Sequence, residues 1–162
     1  MTVKDVLTEP VATCRPETNL AAASALMWEK DCGVLPVLNE NGELAGILTD
    51  RDICIALGTR NRLPSEVAVR EVMGTSPLIC KPTDDVRSAL QIMREAKVRR
   101  LPVVGENGVV EGVVSLGDIV LSARRGFAMA GTASGVSNGD LITALQKIYS
   151  RGDQIATQSA AA

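Results

Sequence analysis

The chain contains no histidine. That removes the commonest general base and the commonest metal ligand together. Aromatic residues are nearly missing too: Trp28, Phe127 and Tyr149 make up 2% of the sequence. A core must therefore be built from Val, Leu, Ile, Ala and Met, and there is no stacking platform for single-stranded nucleic acid. Net charge is small, −2 at neutral pH, so no general field draws in a polyanion. Arg60, Arg62, Arg124 and Arg125 do not overturn that balance. No stretch approaches the roughly 20 apolar residues of a membrane span. No apolar run follows Met1-Thr2-Val3-Lys4-Asp5 to suggest secretion. The expectation is a cytoplasmic protein with neither a nucleic-acid nor a membrane partner. Cys14, Cys32, Cys54 and Cys80 lack any C-x-x-C spacing and sit among apolar neighbours. They read as buried thiols rather than a disulfide or zinc set. No Cys stands beside a base, and no glycine-rich phosphate loop with its Lys is present. The expectation is no catalytic residue set and no metal site.

What is present is a repetition. Gly46-Ile47-Leu48-Thr49-Asp50-Arg51-Asp52-Ile53 returns as Gly112-Val113-Val114-Ser115-Leu116-Gly117-Asp118-Ile119, an offset of 66 residues. Without a gap, about sixteen of about fifty aligned positions are identical, the mark of a tandem duplication. Each copy reads as strand, helix, strand, strand, helix, which makes the fold mixed α/β with two pseudo-symmetric β-α-β-β-α repeats. The first copy spans residues 1–58, a linker 59–68, and the second copy 69–125. Val11 to Cys14 and Leu78 to Cys80 read as first strands, and Thr18 and Thr83 as caps of the following helices. Val34-Leu35-Pro36-Val37-Leu38 and Leu101-Pro102-Val103-Val104 read as strands leading into Asn-Gly hairpin turns. Residues 126–162 form a tail with a helix over 140–150. Asn138 or Asp140 is its cap, and Leu141, Ile142, Leu145 and Ile148 lie on one side. Asp153 to Ala162 reads as disordered. Three short strands with two helices close no core alone, so the halves are expected to complete one core between them.

Two copies of this order, each with Leu-Pro-Val on the middle strand and Gly-x-x-[Thr/Ser]-x-x-Asp at the last strand-to-helix junction, resemble a pair of cystathionine-β-synthase (CBS) domains. The resemblance covers Val3 to about Arg124. It implies a regulatory module that binds an adenosine-containing ligand (AMP, ADP, ATP or S-adenosylmethionine, with Mg where phosphates demand it) in clefts between the repeats. It also implies a homodimer that reports to a protein target.

Thr49-x-x-Asp52 and Ser115-x-x-Asp118 fit two descriptions. Each is a capping-box pattern at a helix start. Each also places a carboxylate, with two oxygens suited to a ribose cis-diol, beside a hydroxyl and exposed helix amides. Arg99 and Arg100 read either as a solvated pair or, by the resemblance, as guanidinium partners of ligand phosphates. Their counterparts are Gly33 and Val34, so the two clefts cannot be equivalent. Val34, Leu35 and Leu101 lie where the family places an adenine against apolar strand residues. Thr13 and Lys81, which flank the first strands, are further candidates. Two rivals remain open: a ligand-free dimerisation module, and the regulatory part of an enzyme such as an inosine monophosphate dehydrogenase.

Overall fold

Each repeat forms a two-stranded antiparallel hairpin flanked by helices in this computed structural model, which describes residues 1–128 and 136–149. The first repeat carries α1 (Leu20–Glu29), β1 (Val34–Leu38), β2 (Leu44–Thr49) and α2 (Asp50–Arg60). The second carries α3 (Val86–Ala96), β3 (Arg100–Val104), β4 (Val110–Ser115) and α4 (Leu116–Ala128), and α5 (Asn138–Tyr149) follows. Gly42 and Gly108 turn the hairpins at φ of +80° and +74°, a conformation that glycine adopts without steric cost.

The expected first strand of each repeat is reduced to one parallel bridge, Cys14 to Val37 and Cys80 to Val103. Cys14 N–H donates to the Pro36 carbonyl at 3.1 Å, and Leu38 N–H donates to the Cys14 carbonyl at 2.9 Å. Cys80, Pro102 and Val104 repeat the pattern at 3.1 and 2.9 Å. Proline sets this limit. The next bridge toward the N-terminus would need an N–H at Pro36 or Pro102, and the next toward the C-terminus one at Pro16 or Pro82. A proline has none to give.

The expectation of one shared core is corrected: there are two, and they do not divide at the linker. Leu20, Ala23, Met27, Leu35, Val37 and Leu48 pack with Val67 and Val69. Leu90, Met93, Leu101, Val103, Val114 and Ile119 pack with Val3. The 3-10 turn leading each repeat, Val3–Asp5 or Val69–Glu71, is thus built into the other repeat's core. Val3 N–H donates to the Asp84 carbonyl at 2.8 Å and Lys4 N–H to that of Pro82 at 2.9 Å. Val69 N–H and Arg70 N–H do the same to Thr18 and Pro16, at 2.8 and 2.9 Å. Behind each turn the chain crosses the opposite return strand, Thr8 pairing with Val113 and Gly74 with Ile47. The motif glycines make room for this. A Cβ on Gly112 would sit 2.6 Å from Leu7 Cδ1 and 2.8 Å from the Thr8 carbonyl oxygen. One on Gly46 would sit 2.6 Å from the Gly74 carbonyl oxygen.

Helices α1 and α3 begin one or two residues later than the Thr caps predict. Asn19 Oδ1 accepts from Ala22 N–H at 2.9 Å, and Asp85 Oδ1 accepts from Arg87 N–H at 2.8 Å. Thr18 is already spent on a turn, its Oγ1 accepting from Arg15 N–H at 3.1 Å. Helix α5 lies on α3 with Leu141 and Ala144 buried in the second core, whereas Ile142 is 55% exposed. Its cap is Ser137, whose Oγ accepts from Asp140 N–H at 3.1 Å. The expected disorder of Asp153 to Ala162 falls outside the described residues. All four thiols are free, but only Cys14 and Cys80 are buried; Cys32 is half-buried and Cys54, on the outer face of α2, is exposed.

Gly112→Ala and Gly46→Ala are expected to cost about 1–3 kcal/mol each by overpacking the crossing. Gly58→Ala, in a helix and with open space around it, should instead gain about 0.5–1 kcal/mol. Urea unfolding of the three variants checks this; equal effects at the three sites would remove the crossing as the constraint.

Candidate functional site

Val34 opens β1 opposite Thr49, and Arg100 opens β3 opposite Ser115. Ile47 exchanges two backbone hydrogen bonds with Gly74, so its own pairing with Pro36 is of the non-hydrogen-bonded kind. Alternation then makes Leu35–Leu48 the bonded pair and turns the N–H and C=O of Val34 away from β2. Proline at 36 also stops the first strand from reaching them. Among the described residues the Val34 N–H and C=O have no hydrogen-bond partner. An adjacent donor and acceptor at the rim of an apolar strand suit the edge of a purine base.

Those groups face a cleft of about 470 Å³ between the repeats. One wall comes from Thr8, Pro10, Val11 and Ala12, the segment that crosses the second repeat. The second wall is the loop from Lys30 to Gly33, leading into Val34. The third is Arg100, Val113, Ser115 and Asp118 from the second repeat. Asp118 sits at the start of α4. The N–H and Oγ–H of Ser115 both donate to its Oδ2, at 2.8 and 2.6 Å, and its own N–H donates back to Ser115 Oγ at 3.1 Å. Oδ1 is not engaged among the described residues. One carboxylate oxygen thus caps the helix, and the other is left unengaged in a residue that lines the cleft. Arg100 is half-buried and makes no hydrogen bond or ion pair among the described residues. A half-buried guanidinium without an anion is partly desolvated without compensation, so the cleft is ready for one.

The box alone does not make a site. Thr2 with Asp5 and Ser137 with Asp140 have the same geometry on exposed helix starts. In Asp140, the Ser137 bonds hold the carboxyl below the usual range. Thr49 and Asp52 form a further copy, with Thr49 Oγ1–H donating to Asp52 Oδ2 at 2.6 Å, and line neither this cleft nor the void beside it. What distinguishes Asp118 is that Arg100 and Val34 share its cleft.

Of the residues singled out in the sequence, Val34, Arg100, Ser115 and Asp118 come together here. Arg99 does not: it is exposed, with Nη1 donating to Tyr149 Oη at 3.5 Å. Leu35 and Leu101 are in the two cores at 0% and 1% exposure, so their side chains face no cleft. Thr13 is half-buried and Lys81 exposed, and neither lines the cleft. Thr8, Pro10, Lys30, Asp31, Cys32, Gly33 and Val113 were missed by sequence reasoning. Only the 30–33 stretch carries a signal, since its counterparts in the second repeat are Ala96, Lys97, Val98 and Arg99, which replace a stretch of no net charge by a basic one.

Among the described residues no group of three or more Cys, Asp and Glu could hold a metal, and no helix is long and apolar enough to cross a membrane.

Two interlocked repeats with a polar-rimmed, strand-edged cleft between them define a tandem-repeat module. The sequence model of the CBS domain matches residues 3–59 and 69–124, and the chain belongs to that family. It is 35% identical over 136 residues to CBS domain-containing protein YhcV of Bacillus subtilis, covering 84% of this chain and 95% of that one. The CBS domain pair of protein MJ0100, solved with 5′-methylthioadenosine and S-adenosylmethionine, superposes with a TM-score of 0.69 at 25% identity, over 79% of this chain and 98% of that one. CBSX2 of Arabidopsis thaliana, solved with AMP, gives 0.67 at 30% identity, over 76% and 96%.

Burial raises the Cys14 thiol to about 11, and burial with the Asp84 charge raises Cys80 to about 12. At pH 7.5 fewer than about one in a thousand of either is thiolate. A maleimide should label Cys54 first, Cys32 more slowly, and Cys14 and Cys80 only after denaturation. Mass mapping checks the order; prompt labelling of Cys14 in the native protein would contradict the described core.

Proposed function

We propose that the chain is a regulatory module that senses an adenosine-containing ligand in the cleft between Val34 and Asp118. The observation that carries this is the convergence of three complementary groups on one cleft. The unpaired backbone N–H and C=O of Val34 read the base. The open Oδ1 of Asp118 accepts from a ribose hydroxyl, and Ser115 lies beside it. Arg100 meets an anionic group on the sugar's 5′ side, where a guanidinium fork is well matched to phosphate or carboxylate. The similarity to structures solved with AMP and with S-adenosylmethionine supports the ligand class.

Such a ligand touches both repeats and shifts their arrangement by its difference in affinity for the two states. To engage both ribose hydroxyls, Asp118 must also use Oδ2, which already accepts two bonds from Ser115. Full binding therefore competes with the cap of α4 and couples the cleft to that helix. The bound state passes to a second copy or to a protein target in the cytoplasm. Ile55 and Leu121, equivalent positions on α2 and α4, are 52% and 58% exposed and supply apolar surface for that contact.

Isothermal titration with AMP, ADP, ATP and S-adenosylmethionine, with and without Mg²⁺, tests the reading. At least one ligand should bind in the micromolar range, and Asp118→Asn should weaken it about tenfold or more, the scale of a lost charge-assisted hydrogen bond. Saturating ligand should also slow maleimide labelling of Cys32, which lines the cleft, and leave Cys54 unchanged. Silence from all four, with a stable dimer in solution, would favour a ligand-free interaction module.

A further inference from the structure

A second void of about 430 Å³ opens beside the nucleoside cleft. The two share Asp31, Cys32, Gly33 and Arg100 in their walls, so they adjoin along these residues. Gly33 is what keeps the region open: a Cβ there would fall 2.7 Å from Asp50 Oδ2 and 3.5 Å from Arg100 Nη2. Beyond the divide the void is walled by Asp50, at the start of α2, and by Trp28, which is 90% exposed at the end of α1. Among the described residues Arg100 makes no ion pair within 4 Å with either Asp31 or Asp50. The void thus has one arginine, two aspartates and a tryptophan among its lining residues.

Resting on the reading of the cleft as a nucleoside site, we propose that this void receives the ligand's 5′ substituent. It selects a chain that carries a cation as well as an anion, an amino-acid-like zwitterion, over a polyphosphate. Arg100 takes the carboxylate, Asp31 and Asp50 take the ammonium, and Trp28 offers a face to a sulfonium or ammonium. A triphosphate meets two carboxylates here against a single arginine, which is net repulsion. The internal repeat gives the contrast. At the 66-residue offset Trp28, Asp31, Gly33 and Asp50 become Arg94, Lys97, Arg99 and Leu116. Every acid of this void is replaced by a base or an aliphatic residue. The cleft on the Asp118 side is therefore the one equipped for a zwitterion, and the counterpart positions carry the charges suited to phosphates.

The experiment is a titration series on the full chain with 5′-methylthioadenosine, S-adenosylhomocysteine, S-adenosylmethionine, AMP and ATP, at low salt. Methylthioadenosine keeps the nucleoside and loses the zwitterion, so the ratio of affinities isolates the void. S-adenosylmethionine and S-adenosylhomocysteine should bind about tenfold or more tightly than methylthioadenosine, and ATP more weakly. Asp50→Asn, checked for folding by its thermal midpoint, should cut that advantage to about threefold or less. Methylthioadenosine or AMP binding as tightly as S-adenosylmethionine, or an advantage that survives Asp50→Asn, overturns the proposed selection and leaves the nucleoside cleft standing. If none of the five binds, or if Asp118→Asn leaves methylthioadenosine binding untouched, the nucleoside reading falls and this inference falls with it.

Discussion

Leu7-Thr8 lies across Gly112-Val113, and Met73-Gly74 lies across Gly46-Ile47, each at van der Waals contact. At the first crossing Thr8 N–H donates to the Val113 carbonyl at 2.9 Å and Val113 N–H returns a bond to Thr8 at 3.3 Å. The second crossing has bonds of 3.0 and 2.9 Å. Much of the rest hangs on these crossings. They bring Val3 and Val69 to the opposite cores, and so tie two small cores that could not stand alone. They also bring Thr8 and Pro10 to the cleft, giving it a wall that neither repeat could supply from its own hairpin. A side chain on Gly112 would push that wall outward, so this motif glycine shapes the cleft without lining it.

The prolines act on the same cleft by subtraction. A first strand paired along its full length would cover the Val34 backbone and leave nothing to read a base. Pro36 and Pro102 cut the pairing to one bridge and leave the strand edge open. Leu-Pro-Val is thus a way to keep an apolar strand in the core while its first residue keeps free polar groups. An open edge of that kind invites pairing with another chain. Here it is only a residue or two long and lies within a cleft of about 470 Å³.

Local features were legible in the sequence. The Asn-Gly turns, the duplication, and the caps at Thr49 and Ser115 depend on neighbours within a few residues, and the structure keeps them. Thr18 was misread as a cap because a turn at Arg15 claims its hydroxyl, which residue type does not reveal. The core exchange was not legible, because which hairpin Val3 joins is decided by contacts some eighty residues away. The family resemblance puts Leu35 and Leu101 where an adenine would lie. In the structure, strand alternation and cover on both faces put them inside, and their neighbour Val34 holds the open backbone. Cys54 had apolar neighbours and still faces out, since sequence neighbours on a helix do not share a face.

Asp118 shows why cap and ligand site need not be alternatives. Its Oδ2 holds the start of α4 through two bonds from Ser115, and its Oδ1 has no partner among the described residues. A ligand with one hydroxyl in reach adds to the cap; a ligand that demands both oxygens draws on it. A carboxylate oxygen with two lone pairs already accepting two bonds cannot take a third at full strength, so Ser115 must turn away or the second hydroxyl must go unpaired. The first outcome moves the helix start, and the second lowers affinity. Thr49 with Asp52 has the same construction at α2. The duplicated motif therefore caps a helix in the same way in both repeats, and of the two copies it is Ser115 with Asp118 that lines the cleft. The residues around each copy have diverged in charge, Asp31 and Asp50 of the first repeat standing where the second has Lys97 and Leu116.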